Sequence, residues 1–133
     1  MSQILNGAVT EMTFALWCIP LAMFLPLVWV GIAKATAKGY DNAQPREWLA
    51  RLEGRAKRAN WAQQNSYEAF PPFAAAVIVA HLTGAEQGTI DLIAGLFILL
   101  RVGHGVTYIL DKDMLRSLLW LGAFGCTLAL FVV

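Results

Sequence analysis

Apolar residues run through this chain in long blocks rather than at the three-to-four-residue spacing of a water-soluble helix. Met12 to Ala33 holds no Asp, Glu, Lys or Arg. At a rise of about 1.5 Å per residue that block is roughly 33 Å long, enough to cross a hydrocarbon core of ~30 Å. A second block runs from about Trp61 to Leu82 and includes Glu68. The third, Ile90 to Leu110, contains Arg101 and His104, and the fourth, Met114 to Val133, has Arg116 near its start. The pattern predicts an all-α fold: an integral membrane four-helix bundle forming one domain over residues 1–133. Its spans are expected at about 10–35, 60–84, 89–111 and 114–133, with a loop over 36–59.

The connections are short, as a bundle requires. Gly84 and Gly88 mark one turn, and Asp111-Lys112-Asp113 another. In the long loop, Gly39, Tyr40, Asp41, Asn42 and Pro45 read as a turn. Trp48, Leu49 and Leu52 among charges then read as a short amphipathic helix, lying at the headgroups or continuing into the second span. Pro20 and Pro26 are expected to kink the first span, and Pro71-Pro72 the second. Ala76, Ala80 and Gly84 form a small-residue row that reads as a helix-contact seam.

Composition removes the soluble alternative. Hydrophobic residues make up 58% of the 133 and charged ones 14%, against roughly 45–50% and about 25% in ordinary soluble proteins. So small a domain has too little interior to hide that surface from water, and the chain is too apolar to stay disordered. A net charge of +1 gives no field for nucleic acid. Seven of the ten Lys and Arg residues lie between Lys34 and Arg58. The positive-inside rule therefore puts the first loop in the cytoplasm and both termini on the other side. The N-terminus lacks the basic region of a cleaved signal peptide, so the first span is expected to be retained. Cys18 and Cys126, without metal-ligand spacing, read as packing residues, and no metal site is expected.

A charge inside a span costs roughly 2.5–3.5 kcal/mol and needs a partner, water or a ligand. Arg58, Trp61, Asn65 and Glu68 fall within about 80° of one helical face. Arg101, His104 and Tyr108 share a face of the next span, rising toward Lys112 and Arg116. Two such faces meeting at one depth make a hydrated crevice open to the cytoplasm. Glu68 and Arg101 are expected to pair, yet the crevice then holds more donors than one carboxylate can satisfy. An anionic ligand would complete the balance.

The segment Arg58-Ala59-Asn60-Trp61-Ala62-Gln63-Gln64-Asn65-Ser66-Tyr67-Glu68-Ala69-Phe70-Pro71 resembles the signature of the MAPEG family, the membrane-associated proteins of eicosanoid and glutathione metabolism, in a bacterial-type member. The family's second helix carries Asn-x-x-Glu followed by Pro, here Asn65, Glu68 and Pro71. Its third carries Arg-x-x-Tyr-x-x-x-Tyr, matched by Arg101, His104 and Tyr108, and an Arg opens the fourth, here Arg116. The resemblance implies a homotrimer with three sites between protomers, each binding glutathione as co-substrate. Arg58, Asn65, Glu68, Arg101, His104 and Tyr108 would contact it, Arg58 from one turn before Trp61. Arg116 would be the catalytic stabiliser of the thiolate, and the second substrate would be a hydrophobic electrophile or hydroperoxide from the bilayer.

Three positions depart from the pattern. Trp61 stands where the leukotriene-synthase branch has Arg, Ala69 follows Glu68 where the family has Tyr, and His104 replaces the first Tyr of the third helix. These departures keep open a non-catalytic lipid- or anion-binding or scaffold protein of the same fold. A small proton-coupled transporter is the remote alternative, because such proteins usually carry their intramembrane Glu on the first span, which here has none.

Overall fold

The computed structural model describes residues 9–133, and these form five helices: α1 (Phe14–Thr36), α2 (Pro45–Ala50), α3 (Gly54–Leu82), α4 (Gln87–Ile109) and α5 (Asp113–Val132). Three of them, α1, α4 and α5, are long and apolar enough to cross a membrane. The 29-residue α3 is the most polar of the four long helices and the central one, touching α1, α2, α4 and α5.

Local chemistry sets the helix ends. Thr13 caps α1, its hydroxyl accepting the Leu16 N–H at 3.1 Å. Gly39, at φ +81°, lies three residues beyond the end of α1. Asp41 accepts the Ala43 N–H at 2.9 Å, which turns the chain into Pro45 at the start of α2. The helices α3 and α4 stop in the same way. Ala85 N–H reaches back to Ala80 O at 3.2 Å around Gly84, and Lys112 N–H to Thr107 O at 2.9 Å around Asp111. Both pivot residues are left-handed, at φ +76° and +60°.

Two points differ from the sequence reading. α3 begins at Gly54, within the stretch expected to be loop, because Ala56 and Ala59 are buried between exposed Arg55 and half-buried Lys57 and Arg58. That face carries too little hydropathy to register as a span. Gly84 ends α3 rather than extending the seam, whereas Ala76 and Ala80 are completely buried in it. Between α2 and α3 the helix breaks at Arg51–Glu53, so α2 is a separate element. α1 and α3 continue through their prolines.

The interior has three layers. One apolar cluster joins Cys18, Ala22, Phe73, Val77, Ala94, Phe97 and Leu130, with the Phe73 and Phe97 rings stacked at 3.8 Å. Another lies beneath the loop: Trp29, Ala33, Trp48, Leu52, Ala59 and Ile109. Between them along α3 and α4 sits a buried polar layer of Ser66, Arg101, His104 and Thr107. A separate polar knot joins the helix ends beyond the first cluster. The Thr13 hydroxyl lies 2.9 Å from His81 Nε2, and His81 Nδ1 lies 2.7 Å from Val77 O. Asp91 accepts from Ala15 N–H at 3.0 Å and from the Gln87 amide at 2.8 Å.

Candidate functional site

Arg101, near the middle of α4, is only 2% exposed. Its Nη2 donates to Asn65 Oδ1 at 2.8 Å and, more weakly, to Ser66 Oγ at 3.5 Å. Ser66 Oγ also accepts the indole N–H of Trp29 at 3.1 Å. Trp29 is pressed against Gly105, where a Cβ would lie 2.1 Å from the indole, so only glycine admits this approach. The relay fixes what Asn65 offers. With its oxygen committed to Arg101, the side chain presents its –NH₂ donors to the space it lines.

The expected Glu68–Arg101 pair is not formed. Arg101 turns to the neutral oxygens of Asn65 and Ser66, because Ser66 faces the bundle interior while Glu68 is exposed on the outer side of α3. Among the described residues no hydrogen bond engages the Glu68 carboxylate, although Glu68 and Arg101 line one recess.

One turn along α4, His104 is 2% exposed and meets the Tyr108 ring edge-on at 5.6 Å. Its Nδ1 is buried without a hydrogen-bond partner among the described residues. Tyr108 is the hub of the upper site. The Arg116 guanidinium lies 4.4 Å from its ring centroid, in cation–π contact, and Trp61 is 6.2 Å away on another side. Lys57 in turn lies over Trp61 at 5.2 Å.

These side chains surround three adjoining recesses that all include Asn65. The first, of ≈ 210 Å³, is lined by Asn65, His104, Tyr108, Arg116, Ser117 and Trp120. The second, ≈ 260 Å³, is formed by Trp61, Gln64, Asn65, Glu68 and Tyr108. The third, ≈ 150 Å³, is lined by Asn65, Glu68 and Arg101 together with Thr127 and apolar side chains. Of the residues singled out from the sequence, Asn65, Glu68, Arg101, His104, Tyr108 and Arg116 share this region. Arg58 does not: its Nε donates to Ile109 O at 3.0 Å and satisfies the end of α4.

Sequence reasoning missed Ser66, Trp29 and Trp120. Trp120 follows Arg116 by four residues, on the same face of α5, and that spacing could have found it. Nothing in the sequence marks the Ser66–Trp29 bond. A separate, larger cleft of ≈ 690 Å³ lies beneath α2, where Lys34, Tyr40, Arg46, Asn60 and Gln63 line a different face of α3.

The sequence profile of the MAPEG family matches residues 12–133, nearly the whole chain. This chain belongs to the MAPEG family. No curated protein and no solved structure matches it. Family membership, with three helices long and apolar enough to span, makes it an integral membrane protein. Within this MAPEG member the polar side chains concentrate on α3, the helix that touches all four of the others. A polar residue at membrane depth is tolerated where it faces protein or a water-lined recess.

Proposed function

We propose that this MAPEG member binds glutathione at the Asn65-centred recesses and conjugates it through its sulfur to hydrophobic electrophiles, or reduces hydroperoxides with it, drawing either from the bilayer. The observation that carries the reading is the convergence of Asn65, His104, Tyr108 and Arg116 on one recess, with Glu68 and Arg101 in the next. Glutathione has two carboxylates, an ammonium and a thiol. The Asn65 amide and the Arg116 guanidinium suit its acceptor oxygens, and the free Glu68 carboxylate suits its ammonium. A thiol of ordinary pKa near 8.5 is mostly protonated at neutral pH. Arg116, held over Tyr108 at the rim, would favour the thiolate, whose sulfur then attacks the electrophile.

The same reading takes α3 as a fourth span, the first loop as cytoplasmic with both termini opposite, and the assembly as a homotrimer in lipid with sites between protomers. Its test is ultraviolet absorbance of the thiolate on adding glutathione to the purified protein. A saturable rise, lost in Arg116→Ala, is expected, and an unchanged rise in that variant removes Arg116 from the role.

A second reading, a non-catalytic anion- or lipid-binding protein of the same fold, draws on Trp61. Its ring stands in the recess with Glu68 and Tyr108, beneath Lys57. On this reading Trp61 occupies space that glutathione would need. If Trp61→Arg gains glutathione binding that the native chain lacks, the second reading replaces the first.

A further inference from the structure

The ≈ 150 Å³ recess below Asn65 differs from its two neighbours. Its lower walls are Ala69 and Pro72 of α3, Phe97 of α4, and Ala123, Phe124 and Thr127 of α5. The space exists because two alanines, Ala69 and Ala123, stand on different helices around it. Its floor is rigid: Phe97 is 2% exposed and stacks face to face on Phe73, with ring planes 3° apart. At the outer rim Trp120 and Phe124 stack at 5.3 Å and are 41% and 43% exposed, so the mouth opens on the outer face of the bundle. Trp120 also lines the recess that holds Arg116, so the two spaces share a wall. Arg101, itself buried, adds a guanidinium to the inner side.

We infer that this recess is the subsite for the second substrate and takes a single aromatic ring bearing a hydrogen-bond acceptor. A cavity of about 150 Å³ with apolar walls accepts one benzene ring; here Ala69, Pro72, Phe97, Ala123 and Phe124 supply such walls, and Asn65, Glu68 and Arg101 make the polar end. Two fused or linked rings exceed it. The flat Phe97 floor suits a planar group, and Arg101 favours a carbonyl or nitro substituent over a bare alkyl chain. A ring seated there lies beside Trp120, next to the recess proposed for the thiol. The role as second-substrate subsite rests on the glutathione reading, but the binding of the ring does not.

The test therefore omits glutathione. Detergent-purified full-length protein is titrated with 4-fluoroacetophenone, 4-fluorobiphenyl or 1-fluorohexane, and ¹⁹F resonances are followed against empty micelles. The native chain is expected to give a saturable shift beyond micelle partition for the one-ring ketone only. Ala69→Phe and Ala123→Leu, each checked for native helix content, are expected to weaken that binding by about tenfold or more. Equal behaviour of the three probes with the native chain overturns the inference, and that comparison needs no variant. Undiminished ketone binding in folded Ala69→Phe overturns it too. Glutathione titrated into the same samples tests the underlying reading separately, since ketone binding with no glutathione binding keeps the subsite and removes the reaction.

Discussion

Two polar clusters join the helices of this apolar bundle, one half-buried at the helix ends and one in the middle layer, and they are built differently. At the helix ends, Thr13, His81, Gln87 and Asp91 close on themselves. Both nitrogens of His81 have partners, and Asp91 accepts an amide from each of two helices. In the middle layer the bonds also begin inside the chain, from Trp29 to Ser66 and from Arg101 to Asn65. They do not finish there. His104 Nδ1 has no partner, and Glu68 is exposed in a recess shared with Arg101. A buried polar group left unmade costs about 1–3 kcal/mol. The closed cluster has only structure to explain, while the open one leaves a buried His104 nitrogen and an exposed Glu68 carboxylate without partners among the described residues, the gap that the proposed ligand would fill.

The comparison can be broken most severely at Arg101. Replacement by Ala strips Asn65 of its donor and Ser66 of the weaker of its two, and we expect a loss of about 3 kcal/mol in stability together with loss of glutathione binding. Thermal unfolding in detergent and a binding titration check both, and retained binding would detach the relay from the site. Gly105→Ala should come next. The new methyl displaces the Trp29 indole at a cost of about 1–3 kcal/mol and should weaken glutathione through Ser66 and Arg101. His81→Ala is the control on the closed cluster: about 1 kcal/mol less stable, with glutathione affinity unchanged. A fall in affinity there would erase the distinction between the clusters. Glu68→Gln should do the reverse, leaving stability within about 0.5 kcal/mol and lowering affinity.

The smallest effect is one of pH. The exposed Glu86 caps α4, and the Thr89 hydroxyl, then the Gly88 N–H, hold its carboxyl below the ordinary value. A carboxyl lowered in the folded state stabilises above its unfolded pKa and loses that contribution as pH falls through the folded one. Melting curves between about pH 6 and 3 should therefore show a small acid-side loss that Glu86→Gln lacks.

The sequence made α1, α4 and α5 legible because long, predominantly apolar blocks have one physical solution in a membrane. It hid the start of α3, where Ala56 and Ala59 bury a face too small to raise hydropathy above Arg55, Lys57 and Arg58. In the candidate site, periodicity was enough to group Asn65 with Glu68 and Arg101 with His104 and Tyr108. It could not choose between partners. Opposite charge alone points Arg101 at Glu68, but the bundle offers it Asn65 and Ser66 from the inside. Arg58 shares the stripe of Asn65, yet a free carbonyl at the end of α4 takes it. Helical phase locates a side chain on a face, whereas its partner depends on neighbours from other helices.

The central claim is that the open polar layer is completed by glutathione. Equilibrium titration of the detergent-purified protein with glutathione, beside Arg101→Ala and Glu68→Ala, tests it most directly. The account predicts saturable binding in the micromolar to millimolar range, abolished by either substitution. No binding up to about 10 mM, with both variants folded, would contradict it.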